Sequence, residues 1–176
     1  MIRVTRRPGL DPARGLIRWG NRVWPCRLGK AGLTSRKREG DRATPQGVVS
    51  VVDGYVRSDR SRRRQLKGKK LRHISQLQGW CDDPHHPAYN LPVQLPFPAS
   101  HEKLLRKDRL YDVVLVLDWN MPPSRSRGAG SAIFVHIAPE HPQSGTHGCI
   151  ALEPRHLSQL LAIADTVPGP IKLTIG

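Results

Sequence analysis

The stretch AIFVHIA, residues 132–138, carries the pattern that decides how this chain folds. Side chains alternate between the two faces of a strand, so Ala132, Phe134 and His136 share one face and three β-branched residues share the other. β-branched apolar residues favour strands, and they also fill DVVLVLDW at 112–119. We therefore predict two strands here, and the strand at 132–138 ends one of its faces in a histidine.

The rest of the chain adds further strands. They are predicted at 2–4, 16–19, 22–29, 48–57 and 171–175. Pro25 restricts the strand that contains it to a sheet edge or a bulge, because proline has no amide hydrogen to donate. Gly54 predicts a β-bulge in its own strand.

Two segments have helical patterns. In EPRHLSQLLAIAD, residues 153–165, Pro154 suits the first helical position. The apolar face of this helix is formed by Leu157, Leu160, Leu161 and Ala164. A shorter helix is predicted at 99–111, with Ser100 as its N-cap.

The remaining segments predict loops and complete the architecture. Residues 57–72 are so basic that we expect a solvated loop, and five prolines in 79–98 predict an ordered but irregular segment. Many strands with one late helix predict a mainly β fold with minor α, a sandwich or a barrel. We expect residues 1–176 to form a single domain.

Composition and charge limit the possible partners. The chain has 176 residues, 29 Lys and Arg against 14 Asp and Glu, and a formal net charge of +15. Such a charge favours anionic partners such as nucleic acid, anionic lipid or an acidic cell-wall polymer. No apolar run approaches the roughly 20 residues that span a bilayer, so we expect no transmembrane segment. No apolar stretch follows the basic start, so we see no secretory signal peptide.

The segment SGTHGCIAL, residues 144–152, brings a cysteine close to the histidine. Two prolines and a Ser-Gly pair between His136 and Cys149 predict a turn, and an antiparallel return would place both side chains on one face. The imidazole can take the thiol proton, and we expect this pairing to lower the pKa of Cys149. Gly148 permits a sharp turn, after which the amides of Gly148 and Cys149 can donate to an oxyanion.

Other roles for these residues stay open on the sequence alone. A lone cysteine in an apolar run is commonly a core residue. The potential zinc ligands are His136, His141, His147 and Cys149. Their spacing lacks the paired units of structural zinc sites, and we predict no metal and no other cofactor. Cys26 and Cys81 form either a disulfide, which leaves Cys149 free, or two buried thiols.

These motifs resemble the signature of the L,D-transpeptidase (YkuD-type) catalytic domain. That signature is a histidine that ends a strand, a variable loop, then Ser or Thr, commonly His, Gly and Cys, as in HIAPEHPQSGTHGC at 136–149. REGDRATPQGVV at 38–49 is similar to the family's glycine-aspartate and threonine-proline-x-glycine stretch. GWCDDPHHPAYN at 79–90 and LYDVVLVLDWN at 110–120 resemble segments of a compact bacterial subgroup. The resemblance covers most of the chain, from about residue 15 to its end.

The resemblance implies an L,D-transpeptidase-like β-sandwich or barrel with a helix after the catalytic cysteine. Cys149 is then the nucleophile and His136 the base, and a backbone carbonyl would suffice to orient the imidazole. The residues expected to shape the turn, the oxyanion hole or the cleft are Thr146, His147, Gly148 and Asn120. The family's usual pattern is not matched at Ile137 and Ala151, and this bears on substrate details.

The implied reaction is acyl transfer on peptidoglycan stem peptides. The thiolate attacks the carbonyl at the L-centre of diaminopimelate, D-alanine leaves, and an acceptor amine completes a 3-3 or 1-3 cross-link. The resemblance also implies a periplasmic or cell-envelope location, acylation by carbapenems, and no obligate nucleic acid.

Two alternative functions are also compatible with this sequence. Water in place of the amine would make the protein an L,D-carboxypeptidase or another cysteine peptide hydrolase. The charge of +15 supports a basic nucleic-acid-binding protein, but the chain has no recognisable nucleic-acid-binding motif.

Overall fold

The computed structural model describes residues 1–61, 65–66, 69–139 and 145–176, with only the backbone described at 65–66 and 69–70. Part of the predicted basic loop and His141 therefore lie outside the described residues. The strands are β1 (Ile2–Arg6), β2 (Arg14–Trp19), β3 (Arg22–Arg27), β4 (Leu33–Thr34), β5 (Thr44–Pro45), β6 (Gly47–Val56), β7 (Gln65–Leu66), β8 (Lys69–Lys70), β9 (Arg72–His73), β10 (Gln78–Cys81), β11 (Pro92–Gln94), β12 (His101–Lys103), β13 (Val113–Leu117), β14 (Phe134–Ile137), β15 (Ile150–Leu152) and β16 (Lys172–Ile175). The helix α1 is Pro154–Thr166.

The largest sheet closes on itself. Its hydrogen-bonded order is β13-β14-β15-β3-β2-β1-β16-β6-β9, and β13 also pairs with β6. This second pairing joins the two ends of the sheet into a barrel, with β9 beside β6. A small separate sheet has β10 between β11 and β12. The predicted mainly β fold, with a helix after the cysteine, is confirmed.

The helix α1 forms where the apolar period predicted it. Pro154 lies in its first turn, and its four predicted apolar residues are buried. They join an apolar core with the strands, and Gln159 on the same helix accepts a hydrogen bond from Trp24 Nε1 at 2.8 Å. Among the described residues, no helix has the length and apolar character that crossing a bilayer requires.

The prediction of a helix at 99–111 is wrong. Residues His101–Lys103 form β12, whose Glu102 lies opposite Trp80 on β10. Turns follow, and they bury Leu104 and Tyr111 in a shared apolar cluster. Pairing with β10 satisfies the backbone of this segment, so tertiary contacts override its helical propensity.

The structure also tests the predictions made for Gly54 on β6 and for Pro25 on β3. The irregularity in β6 lies next to Val52, where the register with β13 shifts, and not at Gly54, which pairs with Leu115. The lack of a side chain at Gly54 leaves room for Leu71, because a Cβ there would stand 2.6 Å from a Leu71 methyl carbon. The strand of Pro25 is not an edge strand, because β3 lies between β2 and β15; Pro25 pairs with Leu16 on β2, and the pairing with β15 is made at Arg27.

Two apolar cores lie on opposite faces of β13 and β14. The larger core includes Ile133, Val135 and Ile137 together with the apolar face of α1. The smaller core includes Phe134, Tyr111 and Cys149. The alternation predicted for 132–138 is therefore confirmed, and the histidine and the cysteine lie on the side of the smaller core.

Candidate active site

The two strands that carry the candidate residues run parallel, so the predicted antiparallel return is wrong. β14 pairs with β15 in the register Val135↔Ile150 and His136↔Ala151. A parallel pair requires a crossover of about a dozen residues, and the segment between β14 and β15 is long enough to provide it. Cys149, immediately before β15, therefore lies beside Phe134 and not opposite His136.

The thiol of Cys149 contacts the backbone at the start of β14. Sγ donates to the Ala132 carbonyl at 3.1 Å and accepts a hydrogen bond from the Phe134 amide at 3.4 Å. The residue is 8% exposed, and burial raises the pKa of the thiol to about 12. The expected lowering of this pKa by an ion pair is therefore wrong for the resting site, where the thiol is protonated.

The imidazole of His136 is neutral and oriented by the backbone. Its Nδ1 lies 2.8 Å from the Ile137 carbonyl oxygen, which can only accept, so Nδ1 carries the hydrogen and Nε2 has the free lone pair. Burial lowers the pKa of His136 to about 4, and the ring packs edge-on against Tyr111 at 5.3 Å between centroids. The group that orients His136, which the sequence did not identify, is thus a backbone carbonyl, and the tautomer suits a general base.

Cys149 and His136 line the same cavity, which has a volume of about 700 Å³. Phe134, whose amide contacts the sulfur, and His136 are successive residues on one face of β14, separated by about 6.5–7 Å along the strand. Thr146 and His147 line the cavity as well. The structure thus brings four of the sequence-predicted site residues to one opening.

The turn before Cys149 is fixed by Thr146 and by glycine. Thr146 Oγ1 donates to the Cys149 carbonyl at 2.7 Å and accepts a hydrogen bond from the Gly148 amide at 3.1 Å. Gly148 has φ +136°, a conformation that L side chains rarely adopt, and a Cβ there would stand 3.0 Å from the Ala43 carbonyl oxygen. This part of the chain therefore requires glycine.

The same turn is bonded to the chain that follows β3. Thr146 donates its amide hydrogen to the Leu28 carbonyl at 2.8 Å, and its own carbonyl accepts from the Lys30 amide at 2.9 Å. These bonds form a parallel bridge between Gly29 and Thr146. The position of Cys149 thus depends on residues 28–30, which directly follow the β2–β3 hairpin.

The two predicted oxyanion donors differ in their hydrogen bonds. The Gly148 amide already donates to Thr146 Oγ1, so the resting structure does not offer it to a ligand. The Cys149 amide makes no hydrogen bond within the described part of the chain. It is therefore the stronger candidate of the two for an oxyanion donor.

Two further predicted residues have different surroundings. His147 is exposed at the cavity, and its pKa is lowered by partial burial and by the nearby cations Lys30 and Arg42. Asn120 does not line the cavity: its Nδ2 donates to the carbonyls of Ser126 and Gly130 and closes the loop after β13. Asn120 therefore positions that loop.

Sequence reasoning missed Asn90. Its buried Oδ1 accepts hydrogen bonds from the Ala132 amide and from Trp80 Nε1, both at 2.9 Å, and its Nδ2 donates to two carbonyls after β13. Ala132 has φ +51°, which is uncommon for a residue with a Cβ. The bond to Asn90 stabilises this conformation, in which the Ala132 carbonyl accepts the Cys149 thiol hydrogen. No local pattern in 79–90 indicated this role.

Charged residues of both signs line the cavity. The basic ones are Arg27, Lys30, Arg42 and Arg106, and the acidic ones are Glu39, Asp82 and Glu102. Such a mixture suits a ligand that carries both carboxylate and ammonium groups. Among the described residues, no group of three or more potential metal ligands comes together.

Cys26 and Cys81 are free thiols, and both are buried. The alternative of a disulfide between them does not hold, and the alternative of two buried thiols does. The presence of two other buried cysteines means that burial does not identify the reactive one.

A thiol and a neutral imidazole at one cavity are the groups that thiol-dependent acyl transfer requires. The family comparison agrees: the model of the L,D-transpeptidase catalytic domain (YkuD) matches residues 15–171, and the chain belongs to this family. Members of the family are L,D-transpeptidases that act on peptidoglycan peptides and are typically associated with the cell envelope. No curated protein matches the chain significantly.

Proposed function

We propose that this protein is a peptidoglycan L,D-transpeptidase of the cell envelope, with Cys149 as nucleophile and His136 as base, and that residues 1–176 act as one catalytic domain. The observation that carries the proposal is the shared cavity of Cys149 and His136, whose Nδ1–H is bonded to the Ile137 carbonyl. That bond leaves Nε2 as the only basic nitrogen of the ring. The family to which the chain belongs supports the same roles.

The first half-reaction forms a thioester. His136 Nε2 takes the thiol proton as Sγ attacks the carbonyl of the third residue of a donor stem peptide. Proton transfer accompanies the attack because both groups are neutral at rest. The Cys149 amide donates to the oxyanion, and the imidazolium then returns its proton to the departing D-alanine amine.

The second half-reaction resolves the thioester. The acceptor amine comes from a diaminopimelate side chain or an N-terminal L-alanine. It attacks the acyl carbon while His136 takes a proton from the amine nitrogen. The C–S bond breaks, Cys149 recovers the proton, and a 3-3 or 1-3 cross-link remains. Attack by water would give a tripeptide, which is the carboxypeptidase reaction.

Purified muropeptide tetrapeptides test this function directly. Wild-type protein is expected to release D-alanine and form cross-linked dimers, whereas Cys149→Ala forms none. Cys26→Ala is the matched control, since Cys26 is equally buried and lies outside the cavity that Cys149 lines. Mass spectrometry identifies the products: dimers support transpeptidation, tripeptide alone supports hydrolysis, and no reaction contradicts the proposal.

A carbapenem provides a second test that does not depend on the acceptor. We expect one covalent adduct, located on Cys149 by peptide mass spectrometry. An adduct that also forms on the Cys149→Ala variant would assign the reaction to another residue.

A further inference from the structure

We propose that two opposed charges control the reactivity of the Cys149 thiol: the ammonium of Lys37 favours the thiolate, and the carboxylate of Glu102 favours the thiol. The inference rests on the proposed role of Cys149 as nucleophile. Lys37 and Glu102 act indirectly, through Cys149, because they set the electrostatic environment of its sulfur.

Lys37 lies behind the turn that carries Cys149. Its side chain is 3% exposed, and Nζ donates to the Arg38 carbonyl at 3.0 Å and pairs with Asp41. A Cβ placed on Gly148 would stand 3.6 Å from Nζ, so the ammonium is a near neighbour of the residue that precedes Cys149. Solvent screens a buried charge weakly, so its field reaches the sulfur.

The Lys37–Asp41 ion pair is expected to add little to the free energy of unfolding. Desolvation of a buried ion pair commonly offsets most of the attraction between its charges. Asp41 also accepts hydrogen bonds from the amides of Arg38 and Ala43, at 2.8 and 2.9 Å, which hold the carboxylate within its own loop. The ammonium is thereby kept between this loop and the turn at Gly148.

Glu102 acts from the cavity, which it lines and Lys37 does not. Its Oε1 accepts a hydrogen bond from the Tyr111 hydroxyl at 2.6 Å, and the Tyr111 ring packs against Phe134, whose amide contacts the sulfur. Arg106 lies 3.5 Å from Glu102 but makes shorter bonds with Asp108, so it neutralises Glu102 only in part. A carboxylate here repels a thiolate at Cys149.

Four other titratable groups surround the sulfur besides Lys37 and Glu102. They are His136 on β14, Tyr111 before β13, Asp41 beside Lys37, and His147 in the turn itself. Burial is the main cause of the raised pKa of Cys149, Glu102 raises that pKa further, and Lys37 lowers it. The geometry and these directions agree.

Alkylation of Cys149 by iodoacetamide, an uncharged reagent, tests the inference without any peptidoglycan substrate. Rates are measured from about pH 6 to pH 11, with Cys149 distinguished from Cys26 and Cys81 by peptide mass spectrometry. We expect Lys37→Met to slow alkylation about tenfold at a given pH and Glu102→Gln to speed it about tenfold, a shift of about one pH unit in each direction. The two opposite shifts distinguish an electrostatic role from a general loosening of the site.

Matched controls use two residues of the same charges, Lys30 and Glu39, that line the cavity. Lys30→Met and Glu39→Gln are expected to change the alkylation rate less than about threefold, because Lys30 is exposed to solvent and Glu39 is hydrogen-bonded to Tyr89, which does not contact the sulfur. Lys37→Arg, which keeps the charge, should retain the wild-type profile. If Lys37→Met does not fold, the double variant Lys37→Met with Asp41→Asn removes both charges of the ion pair and should still slow alkylation.

Two outcomes would overturn the inference. One is a shift of the Lys37→Met and Glu102→Gln profiles in the same direction. The other is a Lys37→Met profile that matches that of Lys30→Met. A protein whose thiol responds as expected but that does not turn over muropeptides would contradict the proposed function and leave this inference intact.

Discussion

The surroundings of Cys26 and Cys149 are alike in burial and different in chemistry. Cys26 is 4% exposed and Cys149 is 8% exposed, and burial raises the pKa of both thiols to about 12. Each also lines a cavity, of about 380 Å³ for Cys26 and about 700 Å³ for Cys149. Only the larger of these two cavities contains a neutral imidazole. A buried thiol therefore becomes a candidate nucleophile through its neighbours, and neither exposure nor pKa separates the two cysteines.

The largest expected effect comes from removing the base near Cys149. In His136→Asn the Asn amide can still donate to the Ile137 carbonyl, but no Nε2 remains to take the thiol proton. We expect carbapenem acylation of Cys149 to slow by about 10²- to 10⁴-fold, the range that general bases contribute. Intact-protein mass spectrometry over time measures the rate. Acylation at the wild-type rate in a folded variant would remove His136 from the mechanism and make the two cysteines alike.

The second effect is a dependence of stability on pH between about 4 and 6.5, which His136 introduces beside Cys149. The folded pKa of His136 is about 4, below its ordinary value of 6.5, so the unfolded chain binds more protons between these limits. The contribution is fully present above about pH 6.5 and is lost as pH falls towards 4; its full size is about 3 kcal/mol. The raised pKa values of both thiols affect stability only in the alkaline range, where stability falls as pH rises above about 9.

Urea unfolding of wild type and His136→Asn at neutral pH and near pH 4 measures this contribution. The free energy of unfolding of wild type is expected to fall more steeply with acid than that of the variant. Parallel curves for the two proteins would show that folding does not lower the pKa of His136.

A third, smaller effect concerns the backbone beside Cys149. Gly148→Ala places a Cβ at φ +136° and against the Ala43 carbonyl, so we expect a loss of about 1–3 kcal/mol in stability and slower alkylation of Cys149. Gly20→Ala is the control, because Gly20 also has a positive φ, of +56°, but no neighbouring atom within 4 Å of its Cβ position. Equal effects of the two substitutions would mean that the contact with Ala43 is unimportant.

The smallest effect is expected at Cys26. Cys26→Ala should lower the free energy of unfolding by about 1 kcal/mol, the typical cost of a core substitution, and leave acylation of Cys149 unchanged. Thermal unfolding and carbapenem labelling of the same sample measure both quantities. Loss of labelling in the folded variant would show that the two regions are coupled.

Local patterns predicted those parts of the fold that depend on local sequence. The alternation in 132–138 assigned Phe134 and Ile133 to opposite faces, and the apolar period of 153–165 located α1, because burial follows the side-chain period directly. The parallel direction of β15 was not predictable from the turn residues, since proline and glycine mark a change of direction without saying how far the chain travels.

The candidate site was predictable where chemistry requires particular residue types. Cys149, His136 and Gly148 belong to a short motif, so their roles could be stated from the sequence. Asn90, Glu102 and Lys37 come from segments distant in sequence and approach the site only after the barrel closes. A single sequence has no signal that connects such residues, because their proximity is created by tertiary packing.

The bridge between Gly29 and Thr146 has a consequence for dividing this protein into parts. A truncated chain that starts after Lys30 would keep the nucleophile and the base but would lose both bonds that align the turn, to Leu28 and from Lys30. A minimal unit for expression, or a circular permutant, must therefore include the β2–β3 hairpin and residues 28–30 together with the final third. Complementation by a separate peptide that supplies β2, β3 and residues 28–30 would restore that alignment.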